Sequence, residues 1–183
     1  MTAAYRVLII SDSHGRTDRI DEVIAQLQER MGGYDLLLHA GDHAEDVLDG
    51  AYPNSVTVCG NCDPYGIEAE EKTLDLLGVS ALLLHGHTVN VKTSPLQLLY
   101  KAAEHGVQFT VFGHTHTPVL YVEDGCVFLN PGSLSYPRGY TVCTYAVLEL
   151  SAREDGVHGQ FCFYTLDGTR IPAFDMEHVF SVR

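Results

Sequence analysis

Residues 6–10, Arg-Val-Leu-Ile-Ile, form a short apolar run that stops at Ser11-Asp-Ser-His-Gly15. That is the pattern of a buried strand delivering polar side chains at its carboxyl end. The next stretch spaces Ile20, Val23, Ile24, Leu27 and Met31 at helical intervals, with Thr17 or Asp18 as a cap and Gly32-Gly33 as the stop. Residues 35–39 read as a second strand ahead of Gly41-Asp42, and residues 55–58 as a third ahead of Gly60-Asn61. Strand, helix and strand in this order predict an open α/β sheet whose carboxyl edge collects the chemistry.

Residues 71–77 and 80–84 flank Gly78 and read as two strands joined by a tight turn. Residues 95–105 follow as a helix stopped by Gly106, with Leu96, Leu99, Ala102 and Ala103 as its expected buried stripe, and residues 109–112 as a strand. Beyond His116 the pattern changes to strands and turns, at residues 119–123, 126–129, 142–150 and 160–166. These predict a second, largely antiparallel sheet packed face to face with the first. No linker, internal repeat or low-complexity tract interrupts the chain. The expected architecture is α/β, an α/β/β/α sandwich of two packed mixed sheets flanked by helices, in a single domain covering residues 1–183.

Composition narrows the function. The chain is 45% apolar with 17 glycines and 7 prolines, an ordinary globular balance. No run approaches the length needed to span a bilayer, and the N-terminal segment turns polar too early for a usual signal sequence, so a soluble, cytoplasmic protein without a membrane partner is expected. A net charge of −13 makes extended nucleic acid an unlikely partner. Five cysteines, at 59, 62, 126, 143 and 162, are too few and too scattered for a secreted disulfide scaffold. Cys59-Gly-Asn-Cys62 has the spacing of a redox pair or half a zinc site, but no second close pair completes it, and the two thiols read as bracketing Asn61.

Five polar stations each follow an expected strand: Asp12-x-His14, Gly41-Asp42, Gly60-Asn61, His85-Gly86-His87 and Gly113-His114-x-His116. A parallel sheet brings such strand ends to one edge, where carboxylate, imidazole and amide oxygen suit a divalent cation. The set holds more ligating groups than one ion needs, so a bridged pair of ions is the economical reading. In this order the stations resemble the calcineurin-like metallophosphoesterase superfamily, and more narrowly its small bacterial and archaeal phosphodiesterase branch, from Val7 through Gly132-Ser133.

The resemblance implies that Asp12, His14, Asp42 and His116 hold one metal and Asp42, Asn61, His85 and His114 the other, with Asp42 as the bridge. It implies two divalent ions, Mn²⁺ first and Fe, Zn, Mg or Ni as alternatives. The implied activity is hydrolysis of phosphodiester bonds by a metal-bridging water or hydroxide, on a small substrate with nucleotides among the candidates. Asp42, Asn61, His85 and His87 form the expected catalytic set, His87 as a phosphate contact. A metal-dependent phosphomonoesterase and a non-enzymatic protein-interaction scaffold are the alternatives, and a homo-oligomer is allowed. In larger relatives a histidine follows the asparagine, whereas here Cys62 and Asp63 do, which implies either a preference for good leaving groups or protonation of the leaving oxygen through water, His87 or another residue.

Outside this set, His39 and His43 read as structural, His39 as a group able to orient a ligand. Asn130-Pro-Gly-Ser133 reads as a turn near the mouth of the site. Tyr136, Arg138 and Tyr140 are candidates for a rim that stacks on a base and neutralises phosphate.

Overall fold

The computed structural model describes residues 4–48 and 50–182. In β1 (Tyr5–Ile10) successive side chains alternate across the strand, and Val7, Leu8, Ile9 and Ile10 are all fully buried. A strand covered on both faces belongs in the middle of a layered fold. Val7 and Ile9 join the larger apolar cluster, while Leu8 and Ile10 pack with Ile20, Val23 and Leu27 of α1 (Thr17–Met31). This helix ends at Gly32 in the left-handed conformation. Its start is preceded by Arg16 with no side-chain cap, so neither Thr17 nor Asp18 plays the expected capping part.

β2 (Leu36–His39) and β3 (Ser55–Thr57) extend β1 in parallel, in register Ile10 to His39 and His39 to Thr57. On the other side of β1 lie β9 (Thr144–Arg153), β10 (Gly156–Thr165) and β11 (Met176–Phe180), all antiparallel to their neighbours. The first sheet therefore runs β11-β10-β9-β1-β2-β3. The second contains β4 (Glu71–Leu76), β5 (Val79–Leu84), β6 (Phe109–Val111), β7 (Val119–Glu123) and β8 (Cys126–Asn130), in the order β4-β5-β6-β8-β7.

The expected sandwich is present, with a different assignment of strands. The late strands do not make a sheet of their own: β7 and β8 complete the second sheet, and β9 and β10 cross to the first. The reason lies in β9, whose Ala146, Leu148 and Leu150 face the inter-sheet core while Tyr145 and Val147 face α1, continuing both faces of β1. β11 lies beyond the last expected strand and forms the sheet's edge.

Val7, Ile9 and Leu38 of the first sheet meet Ala81, Leu83, Phe109 and Leu129 of the second in the core between the layers. On the outer face of the second sheet, α2 (Leu96–His105) covers Leu82, Leu84 and Phe128 with Leu98 and Ala102. Its buried stripe is thus rotated from the expected one: Leu99 lies at the margin, and Leu96 and Ala103 are exposed. Neither helix among the described residues is long and apolar enough to cross a membrane.

Candidate metal centre

The carboxyl ends of β1, β2, β3, β5 and β6 meet along one edge of the sandwich and bring all five stations together. Asp12, His14, Asp42 and His116 place one ligating atom each within 4.8 Å of one another, and Asp42, His85 and His114 form a second such group. Asp42 belongs to both. Asn61 joins the second group, its Oδ1 lying 3.2 Å from His85 Nε2.

Two imidazoles have their protons assigned by neighbours that can only accept. His85 Nδ1 donates to the Ala40 carbonyl at 2.7 Å, and His116 Nδ1 to the Tyr136 carbonyl at 2.7 Å. In a neutral ring this leaves the Nε2 lone pair facing inward. His85 Nε2 then points at Asp42 Oδ1, 3.3 Å away, and His114 Nδ1, 3.2 Å away. His116 Nε2 approaches Asp12 Oδ1 to 3.0 Å, although not in hydrogen-bond geometry. Among the described residues, the buried atoms Asp12 Oδ1, His14 Nε2 and His87 Nδ1 have no hydrogen-bond partner. Acceptors converging on one another, with a carboxylate oxygen left orphaned, fit a divalent cation.

The electrostatics agree. Burial pushes the Asp12 carboxyl up, but His116, His85 and the Ser11 hydroxyl outweigh it and hold Asp12 below the usual range. Asp42 is also held well below the usual range, because His85 and the Cys62 N–H overcome its burial. His85 is pushed down by burial and up, on balance, by Asp42 and Asp12. His114 is lowered to about 4 by burial and by the positive charges of His85 and Lys92. Two ionised carboxylates amid imidazoles form an anionic focus that a cation neutralises.

The backbone is bent to this purpose. Asp12, His14, Asp42, His114 and His116 have φ between 49° and 64°, the left-handed region that non-glycine residues avoid. Asp42 does not cap the short helical turn Ala44–Asp46, as a purely structural reading of it would require. Gly113 permits a close approach: a Cβ there would collide with the Ser11 hydroxyl and stand 2.8 Å from Asp12 Oδ2.

Around the ligands lies a shell of braces. His39 is buried between Ser13 and Thr57, at 2.9 Å from each hydroxyl, and Ser13 donates to Asp46 at 2.6 Å. The Ser133 hydroxyl donates to the Asp12 carbonyl at 2.9 Å, and Asn130 Nδ2 to the Gly113 carbonyl at 2.7 Å, giving the Asn130–Ser133 turn a bracing role. Asp63 was not expected: its Oδ2 accepts N–H bonds from Asp42 and Gly60 at 3.1 and 2.6 Å, and its Oδ1 one from Ala44 at 2.7 Å. Its position three residues after Gly60 was the available signal. His43, by contrast, pairs with Glu45 at the surface.

The candidate ligands His14, Asp42, Asn61 and His116 open onto a cleft of about 610 Å³, bordered also by Cys62, Lys92, Tyr136 and Arg138. Tyr136 sets its ring edge-on to His14, centroids 5.3 Å apart. Tyr140 leaves the proposed rim and packs on Phe174 instead. His87 is half-buried behind His85 and His114, its ring centroid 5.4 and 6.1 Å from theirs. All five cysteines are free, and Cys59 and Cys62 form no disulfide.

Residues 5–153 match the family model of the calcineurin-like phosphoesterase superfamily domain. The chain belongs to this superfamily. This phosphoesterase is 34% identical to the probable metallophosphoesterase YsnB of Bacillus subtilis over 144 residues, 79% of this chain and 83% of that one. It is 26% identical to the phosphodiesterase YfcE of Escherichia coli K12 over 172 residues, which cover 79% of this chain and 87% of the relative. A crystal structure of a Streptococcus pneumoniae protein described as a predicted phosphoesterase superposes with a TM-score of 0.79 at 29% identity, covering 98% of this chain and 100% of that one. As a metallophosphoesterase the chain has an evident place for metal in the strand-end cluster.

Proposed function

We propose that this metallophosphoesterase hydrolyses small phosphodiesters with two divalent cations, Mn²⁺ foremost, and that residues 1–183 act as one catalytic domain in the cytoplasm. The observation that carries the reading is the pair of ligating groups sharing Asp42. Asp12, His14, Asp42 and His116 would hold one ion, and Asp42, Asn61, His85 and His114 the other. When bound, such a pair supplies Lewis-acid stabilisation and lowers the pKa of the attacking water.

The chain's own part is orientation. The Ala40 and Tyr136 carbonyls fix the tautomers of His85 and His116, and the Cys62 N–H, 2.9 Å from Asp42 Oδ1, fixes the shared carboxylate. His87, beside His85 and His114, would contact a phosphate oxygen from behind those two rings. Cys62, whose thiol is pushed up to about 11 by burial and the Asp42 charge, stays protonated and donates weakly. This supports a preference for esters whose leaving oxygen needs little protonation. The name of the Escherichia coli relative, a phosphodiesterase, supports the diester half of the reading.

The test is to strip the metal, restore Mn²⁺, and measure bis-p-nitrophenyl phosphate beside p-nitrophenyl phosphate at equal concentration. Diester turnover exceeds monoester turnover, requires the metal, and disappears in Asp42→Asn. Preference for the monoester would replace this reading with a phosphomonoesterase, and activity that survives chelation would overturn the metal mechanism.

A further inference from the structure

Cations are scarce in this chain, 11 against 24 acidic residues, and most have a visible task. Among the described residues, Arg6, Arg16, Lys72, Lys101 and Arg170 face carboxylates, and Arg19 and Arg30 hold main-chain carbonyls. Lys92, Arg138 and Arg153 lack such partners among those residues. Two of these three, Lys92 and Arg138, border the metal cleft.

Each is carried by a loop fastened to a ligand loop. The Val91 N–H donates to the Gly86 carbonyl at 3.2 Å, between His85 and His87, which sets the next residue, Lys92, beside the cleft. The Arg138 N–H donates to the His116 carbonyl at 3.0 Å, while His116 Nδ1 holds the Tyr136 carbonyl. One cation therefore comes from the side of His85 and the other from the side of His116.

Charge balance then asks what they meet. Lys92 and Arg138 reach the cleft from two sides, and neither forms an ion pair with a carboxylate among the described residues. A phosphomonoester dianion matches two such charges. We infer that Lys92 and Arg138 form a clamp for a second phosphate on the substrate, so that the preferred diesters are phosphorylated beyond the scissile bond. This inference rests on the diesterase reading, which it sharpens.

The experiment uses the Mn²⁺-loaded enzyme and two substrates differing by one group, thymidine 5′-(p-nitrophenyl phosphate) and its 3′-phosphorylated counterpart. The 3′-phosphate raises kcat/KM by about tenfold, the effect of a charge-assisted contact. Lys92→Ala and Arg138→Ala each move that ratio toward one. Arg153→Ala removes the same charge from the far surface and leaves the ratio as in the wild type.

Calorimetric binding of thymidine 3′,5′-bisphosphate against thymidine 5′-monophosphate gives the same comparison without turnover. It decides the clamp even if bis-p-nitrophenyl phosphate is not hydrolysed, the outcome that overturns the diesterase reading alone. Equal treatment of the paired ligands by the wild type overturns the clamp. So does a ratio untouched by both substitutions, because the two cations would then serve the scissile phosphate.

Discussion

Asp63 lies outside both candidate ligand groups, yet its two oxygens accept three main-chain N–H groups and so hold the loop that carries Asp42 against the loop that carries Asn61. Asparagine keeps the size but offers one acceptor oxygen. Asp63→Asn is expected to lower Mn²⁺ affinity or diester turnover about 10- to 100-fold, the usual cost of losing a group that orients ligands, as measured by metal titration and steady-state kinetics. His39 acts through protons. Burial lowers its pKa to about 4, against 6.5 in an open chain. The unfolded chain therefore takes up a proton that the folded one refuses between these values, so the stabilisation is complete above pH 6.5 and is lost as pH falls toward 4. It amounts to about 3 kcal/mol at most. Urea unfolding of His39→Gln across this range should show a shallower pH dependence than the wild type.

At the scale of elements, the strands are placed by their cores and the loops by their close approaches. Gly113 lies at the end of β6, where a methyl group would strike Ser11 at the end of β1. Gly113→Ala should cost about 1–3 kcal/mol in urea unfolding, the range for overpacking, and weaken Mn²⁺ binding by displacing Asp12. Such loops also set the limit of what the sequence discloses. The stations around Asp12, Asp42, Asn61, His85 and His114 are legible because each follows an apolar run, and a parallel sheet must align such ends. The sheet membership of β9 and β10 is not, because a strand buried on both faces has the same pattern in either layer. Asp63 and Lys92 escape notice for a related reason: their tasks arise only when separate loops meet. Tyr140 shows the converse, an aromatic near the right segment that turns to Phe174.

For the molecule as a whole, each ligating group draws on both layers. Asp12, His14 and Asp42 follow strands of the first sheet and His116 one of the second; Asp42 meets His85 and His114 across the same divide. A bound ion would therefore rivet the sandwich. With Mn²⁺ at 100 times its Kd the gain is about 2.7 kcal/mol for each ion bound, which in a chain of this size raises Tm by about 5–10 °C per ion. Thermal scans with Mn²⁺ and with chelator should differ by that amount for each ion bound, and the difference should vanish in the Asp12→Asn, Asp42→Asn double variant. The left-handed ligand residues carry a last consequence, for portability. A peptide copied from residues 10–16 or 112–118 would settle into extended and right-handed conformations and scatter its donors. The proposed metal centre cannot be transplanted as a motif; it travels only with the strand ends that force five reluctant residues into place.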